Sequence, residues 1–204
     1  VRDEVRHRCA NPWCPAQVFE GLRHAVGRGA LDIEGLGEKL LQQLVDRGRV
    51  RRLADLFTLT REDLDGLDRM GSVASNAKKG GANRIDNVLR EVARRKEQEL
   101  WRVLVALGIR HVGETTARDL ATEIARRVPA GHDWSRRAAA ALRQLTVEDL
   151  TGVSGVGAVV GTSIVGYFAG RETGRALDDL LEVGVTLTSG AQAEAATGAG
   201  PLSG

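Results

Sequence analysis

Internal repetition is the feature that most constrains the fold of this 204-residue chain. Residues 59–73 align with residues 145–159 after a shift of 86, and eight of the fifteen positions are then identical. Residues 30–44 align with residues 106–120 after a shift of 76, with six identities. Because the two relations interleave along the chain, the sequence predicts four related units in the order A-B-A-B.

Each unit has an apolar residue, a tight turn, a second apolar residue and a glycine that opens a helix. The four turns are predicted near 33–37, 67–71, 109–113 and 153–157. The second apolar residue should be buried between two helices, and the final glycine tolerates unusual dihedral angles and leaves the approach open. The B units also carry a helix-start signal, in which Thr60 or Thr146 caps the helix and Asp63 or Asp149 lies in its first turn.

Hydrophobic periodicity predicts an all-α protein of short helices. Apolar residues recur at helical spacing along 85–92 and 100–107, and similar stripes begin at Leu36 and Ala176. Strand signals are scarce, because alternating runs of β-branched and aromatic residues are missing. The 42% hydrophobic and 27% charged residues exclude a wholly disordered chain. No apolar run approaches the roughly 20 residues of a membrane span, so no membrane partner is expected.

The predicted turns are chemically suited to phosphate. A helix that starts at glycine presents free backbone N–H groups and the positive end of its dipole to an approaching anion. Several such turns would hold a nucleic-acid backbone without contacting base edges. Ordinary helix connection is the alternative for any single turn, but four copies in alternating register favour binding.

The candidate DNA-binding residues lie in the turns and among the cations beside them. They are Gly35, Gly37, Lys39, Arg69, Gly71, Lys78, Lys79, Arg110, His111, Gly113, Ser154, Gly155 and Gly157. His111 is equally consistent with an exposed structural histidine. The overall net charge of +2 does not show that residues 69–96 are strongly basic, with eight cations and two acids. That run is either a solvated helix face or a polyanion contact, and its position beside a turn favours contact. With only 3% aromatic residues to stack on bases, duplex is a better ligand than single strands.

Cys9 and Cys14 have the spacing of a metal knuckle. Zinc takes four ligands, and His7 and His24 are the only nearby supplements. Two interpretations remain: a pair of small core thiols, or the second half of a four-cysteine site whose first half preceded Val1. Two cysteines cannot form a disulfide scaffold, which favours the reducing cytoplasm. No nucleophile paired with a base is visible, so no catalytic residue is assigned.

Composition divides the chain into three parts. Residues 1–28 hold the cysteine knuckle and a connecting helix, and residues 29–188 hold the four turns. Twelve of the sixteen residues at 189–204 are Ala, Gly, Ser or Thr, which predicts a flexible linker.

With these motifs, the chain resembles the C-terminal half of bacterial NAD-dependent DNA ligases from about Cys9 to about Val185. Cys9-x4-Cys14 followed by Pro15-Ala16-Gln17 is similar to the closing half of that family's zinc finger. Residues 30–37 and 106–113 are similar to its first and third helix-hairpin-helix turns. Residues 200–204 look like the first residues of its terminal BRCT domain.

The resemblance implies tandem helix-hairpin-helix repeats, four hairpins in two pairs, preceded by a partial zinc-finger knuckle. It implies zinc at Cys9 and Cys14, with NAD and magnesium in the catalytic half of the parent protein. The parent would seal nicks in duplex DNA during replication and repair. The implied partners are nicked duplex and the catalytic and BRCT domains of the same chain, which acts as a monomer.

The sequence departs from the family pattern at several places. None of the four lysines lies in the family's KxDG context, so the adenylated lysine and the NAD site are expected outside this chain, which alone should be inactive. Residues 72–83 and 126–143 look like insertions. The alternative function is a stand-alone helix-hairpin-helix module of another repair protein, binding DNA or serving as a protein-interaction scaffold.

Overall fold

The computed structural model describes residues 15–68, 70 and 82–189, and this part of the chain is mostly helical. In chain order its elements are α1 (Pro15–Val26), α2 (Glu38–Asp46), a 3-10 helix (Leu53–Thr58), α3 (Arg61–Leu64), α4 (Ala82–Arg94), β1 (Glu97–Glu99), α5 (Leu100–Ala106), α6 (Glu114–Arg127), α7 (Trp134–Gln144), α8 (Val147–Thr151), α9 (Ala158–Ala169), a second 3-10 helix (Thr173–Arg175), α10 (Ala176–Glu182) and β2 (Thr186–Thr188). The predicted helical class is confirmed.

The apolar stripes predicted from helical spacing form the core. Their buried members are Leu36, Leu40, Leu41, Leu44, Ile85, Val88, Val92, Leu100, Val103, Leu104, Leu177 and Leu180. Leu89, Leu107 and Leu181 are partly buried and pack against this core. Burial of each such side chain contributes about 2 kcal/mol, so the stripes supply much of the driving force for folding.

The helices on either side of each predicted turn pack on one another. The packed pairs are α1 with α2, α3 with α4, α5 with α6, and α8 with α9. The first, third and fourth pairs have the form of a helical hairpin, and most of the link between α3 and α4 lies outside the described residues.

Two of the short helices start with a reciprocal cap, as their sequences predict. The Thr60 and Thr146 hydroxyls accept hydrogen bonds from the backbone N–H groups of Asp63 and Asp149, respectively. Each aspartate in turn accepts from the backbone N–H of its threonine, at 2.9 Å in both helices. Both capping boxes of the B units are therefore confirmed.

A two-stranded parallel pair was not predicted. β1 pairs with β2 in the register Glu97 with Thr186 and Glu99 with Thr188. The Leu187 N–H also donates to the Ser135 hydroxyl at 2.8 Å, so β2 is held from α7 as well. This contact ties the C-terminal segment to the middle of the chain.

The expected insertion at 126–143 is a packed part of the domain. Trp134 is buried at the start of α7, and its indole N–H donates to the Val128 carbonyl at 3.2 Å. Of the other expected insertion, at 72–83, the last two residues belong to α4 and the rest lie outside the described residues. Ser189, the first residue of the predicted linker, is buried, and the remainder of the linker is likewise outside.

A bilayer span is not found among the helices at 15–68 and 82–189. The longest of them, α6, has 14 residues and carries charges along its length.

Candidate nucleic-acid interface

The apolar residues predicted to fix the turns are buried. Those in the second apolar position are Leu36, Met70, Val112 and Val156, and those buried in the first are Ile33, Leu67 and Ile109. Val153 packs at the edge of the core. The Val112 N–H donates to the Ile109 carbonyl at 3.0 Å, and Val156 bonds Val153 in the same way at 3.1 Å. The third and fourth turns thus have the same backbone closure.

In the first, third and fourth turns the left-handed residue is the third one, and it is not the final glycine, which was expected to tolerate unusual dihedral angles. Gly35, His111 and Gly155 have φ values of 87°, 66° and 72°. The final glycines are extended, with a φ of −68° at Gly37 and −84° at Gly157. The chain therefore reverses at the third residue of the turn. The final glycine does not need an unusual dihedral angle, and what distinguishes it is that it has no side chain.

Three of the helices that follow the turns begin at a glycine, which has no side chain to cap them. Gly37, Gly113 and Gly157 are the N-caps of α2, α6 and α9, and none makes a side-chain capping bond. A Cβ atom at any of the three positions would meet no heavy atom within 4 Å. The space beside each of these glycines is therefore open, and an anion can approach the first N–H groups of the helix there.

Two of the turns pack against a helix of the neighbouring hairpin. A Cβ at Gly35 would lie 3.0 Å from Cγ2 of Val88 in α4, so the first turn packs on the helix that follows the second. A Cβ at Gly155 would lie 3.8 Å from Oδ2 of Asp119 in α6, so the fourth turn packs on the helix that follows the third. Each half of the chain thus places a turn of one hairpin against the other hairpin.

The candidate residues that the structure describes are exposed. They are Gly35, Gly37, Lys39, Arg110, His111, Gly113, Ser154, Gly155 and Gly157. The other candidates, Arg69, Gly71, Lys78 and Lys79, lie outside the described residues.

The charge around the turns is uneven. The first turn has exposed Glu34 and Glu38 beside Lys39, and it borders a groove of about 600 Å³ that Asp68, Glu91 and Arg84 also line. The third turn presents Arg110 and His111 and is followed by Glu114, which pairs with Arg118, and the fourth has no charged residue between 153 and 162. The third and fourth turns are therefore electrostatically better suited to a polyanion than the first.

Part of the basic run at 69–96 has structural partners. The Arg95 guanidinium donates to the Asp32 carboxylate at 2.9 Å, and the Lys96 ammonium donates to the Val183 carbonyl at 2.8 Å. These two bonds link the residues just after α4 to the segment before the first turn and to the residue after α10. The sequence shows the net charge of this run, but it does not show which of its cations are bonded within the fold.

Arg118 lies in α6, one helical turn beyond the third turn, and was not among the candidate residues. Its guanidinium lies 3.6 Å from the centroid of the Trp101 ring and donates to the Glu114 carboxylate. The Glu–Arg spacing of four residues on α6 was the available signal.

The zinc prediction falls on residues that the structure does not describe. Cys9 and Cys14 both precede Pro15. Within residues 15–68, 70 and 82–189, no three side chains of the metal-ligating types come together. The zinc site remains a prediction from the resemblance.

The fold and its exposed turns define a helix-hairpin-helix protein. In agreement, the helix-hairpin-helix motif family matches residues 102–126, which contain the end of α5, the third turn and nearly all of α6.

Bacterial DNA ligases match almost the whole chain. It is 39% identical over 186 residues to a protein named DNA ligase from Anoxybacillus flavithermus, covering 91% of this chain and 24% of the relative. It is 37% identical to a DNA ligase of Bacillus pumilus over 92% of this chain and 25% of that protein. A DNA ligase of Rubrobacter xylanophilus is 39% identical over 89% of this chain and 23% of its own length.

The chain is thus a relative of one segment of bacterial DNA ligases, and the resemblance drawn from its motifs is confirmed. It spans about a quarter of the length of the curated relatives it matches.

Proposed function

We propose that this chain is the DNA-binding part of an NAD-dependent DNA ligase, which seals nicks in duplex DNA during replication and repair. One observation carries the proposal: α2, α6 and α9 begin at exposed, uncapped glycines with open space before them. By contrast, α3 and α8 are closed by capping boxes. The first N–H groups of α2, α6 and α9 are thus left without a side-chain cap.

Binding to the backbone follows from this arrangement. Phosphate oxygens accept the free N–H groups and are favoured by the positive ends of the helix dipoles. Arg110 and Lys39 add charge beside the third and first turns. Since backbone N–H groups and phosphate oxygens make these contacts, and phosphates carry no sequence information, we expect binding to duplex without sequence preference.

The chemistry of ligation belongs to the rest of the parent protein in this proposal. The adenylated lysine, NAD and magnesium lie in its catalytic half, and Cys9 and Cys14 supply half of a zinc finger that joins the two parts. This chain acts in the cytoplasm as part of a monomer, with its hairpins on the duplex around the nick.

Salt dependence tests the backbone mechanism. If four turns contact about two phosphates each, affinity for a nicked duplex should fall on the order of 10⁴-fold between about 50 and 200 mM salt. Fluorescence anisotropy with a labelled nicked duplex measures this. A flat response would contradict the proposal and favour the alternative, a helix-hairpin-helix scaffold that binds another protein.

Replacement of the final glycines tests where the phosphates bind. Gly37, Gly113 and Gly157 changed together to Val should abolish binding, because the added side chains occupy the space before each helix. Gly29 and Gly166 changed to Val form the matched control, since a Cβ at either also meets nothing within 4 Å. Circular dichroism checks that helicity persists in both variants. Unchanged binding by the triple variant would rule out the turn N–H groups as the contact.

A further inference from the structure

The third turn has an acid where the proposed phosphate binds. Glu114 is the first residue of α6 and follows Gly113 directly. A carboxylate in this position favours the helix, because it complements the dipole. It also repels a phosphate approaching the same N–H groups, and it is the anion nearest to them in sequence.

Arg118 draws this carboxylate along the helix. Its Nη2 and Nε atoms donate to the same oxygen of Glu114, at 2.8 and 3.0 Å. Since Arg118 lies one turn further along α6, the bond directs the carboxylate away from Gly113.

Trp101 braces Arg118. The Trp101 ring is buried, with 5% of the residue exposed, and the Arg118 guanidinium lies 3.6 Å from its centroid. Stacking on a fixed aromatic ring restricts the arginine before any ligand arrives. The group that holds the Glu114 carboxylate is therefore itself stacked on a buried ring, with half of its side chain exposed.

The corresponding turns differ in this respect. Glu38 occupies the same place after the first turn, but Gln42 stands where the third hairpin has Arg118, and its amide donates to Asp46. The fourth turn is followed by Ala158, which has no charge to neutralise. Of the three turns described in full, only the third joins an acid after the glycine to an arginine one turn later.

Resting on the proposed function, we infer that Arg118 is a positioning residue for DNA binding at the third hairpin. It neutralises Glu114 and keeps its carboxylate out of the phosphate site at Gly113. Arg118 thereby acts through Glu114 and does not itself contact the phosphate.

A double-mutant cycle on the 204-residue chain tests this inference with the labelled nicked duplex at about 100 mM salt. Arg118→Ala should weaken binding about tenfold, the size expected for one unshielded like charge at close range. Glu114→Gln in the same background should restore affinity to within about twofold of Glu114→Gln alone. Arg118→Lys, which keeps the charge, should retain most of the affinity.

Arg126→Ala is the matched control, because it removes the same charge from the far end of the same helix. It should change affinity by less than about twofold. Rescue by Glu114→Gln separates the proposed role from a structural one, since the double variant still lacks the ion pair and the stack. Thermal unfolding monitors the fold of each variant.

Four results would overturn the inference: full affinity in Arg118→Ala, no rescue in the double variant, affinity in Arg118→Lys as low as in Arg118→Ala, or an equal loss in Arg126→Ala. The second result would place Arg118 on the phosphate itself, and the last would reduce its effect to bulk charge. Failure of the unmodified chain to bind nicked duplex would instead refute the proposed function.

Discussion

The guanidinium of Arg127 lies 3.0 Å from the carboxylate of Asp149 and so joins the end of α6 to the start of α8. Asp149 also accepts hydrogen bonds from the backbone N–H and the hydroxyl of Thr146, at 2.9 and 2.7 Å. Because α6 follows the third turn and α8 leads into the fourth, this contact helps to set the spacing of the two turns. It combines a local helix cap with a link between hairpins.

Acid should weaken this contact. The Thr146 hydroxyl and backbone N–H, together with Arg127, lower the pKa of Asp149 from 3.8 to about 2. A carboxyl with a lower pKa in the folded state stabilises the protein above its unfolded pKa, and this is lost as the pH falls through the folded value. We therefore expect Asp149→Asn to lower the urea midpoint above pH 4 and to flatten its decline between about pH 4 and pH 2. An unchanged pH profile in that window would contradict this role.

Substitution of the turn glycines by alanine should show at which positions a side chain strains the backbone and at which it is tolerated. Gly155→Ala forces alanine into a φ of 72°, and we expect a loss of about 1 kcal/mol in the free energy of unfolding. Gly157→Ala keeps an extended φ of −84° and meets no neighbour, so stability should be unchanged or slightly raised. Gly35→Ala should cost more than Gly155→Ala, because its Cβ would also press on Val88 at 3.0 Å.

Urea unfolding of the three single variants measures these differences. Equal losses at Gly155 and Gly157 would show that the two positions do not differ in strain, contrary to their dihedral angles.

Much of the fold is encoded in local patterns that a single sequence displays. The spacing of Leu40, Leu41 and Leu44 places them on one helix face, and the four-residue pattern from Thr60 to Asp63 is a local cap whose partners are near in sequence. Both features depend on contacts within one or two helical turns. The buried apolar residues of the turns can also be found from the sequence, because they recur at the same position in each repeat.

Contacts between distant segments leave no such pattern. β1 and β2 are three residues each and pair across almost ninety positions, so neither shows an alternating run. From the sequence alone Lys96 resembles an exposed surface cation, but its ammonium donates to the carbonyl of Val183. The stacking of Arg118 on Trp101 likewise depends on how α5 packs against α6. These features arise from tertiary packing, which the motifs do not specify.

His111 should be a site of stored backbone strain. It has a φ of 66° at the position where the first and fourth turns have glycine. Since a left-handed conformation is unfavourable for residues with a Cβ, His111→Gly should raise the free energy of unfolding by up to about 1 kcal/mol. His132→Gly is the matched control: His132 is 96% exposed and is not among the positive-φ residues, so it should lose stability or stay level. Thermal unfolding measures both, and a loss at His111 as large as that at His132 would contradict the strain.

The helix α10 should contribute to stability through the ion pair between its Asp179 and Arg52. Nη1 of Arg52 lies 2.6 Å from Oδ2 of Asp179 in α10, and the Asp179 side chain is only 14% exposed. Asp179→Asn weakens a partly buried, charge-assisted hydrogen bond, and we expect a loss of about 1–2 kcal/mol in the free energy of unfolding. Glu20→Gln is the control, because its pair with Arg23 lies within α1 with both side chains more than half exposed, and such pairs contribute little. Urea unfolding at neutral pH compares the two variants. Equal effects would mean that burial of Asp179 adds nothing to the strength of its pair.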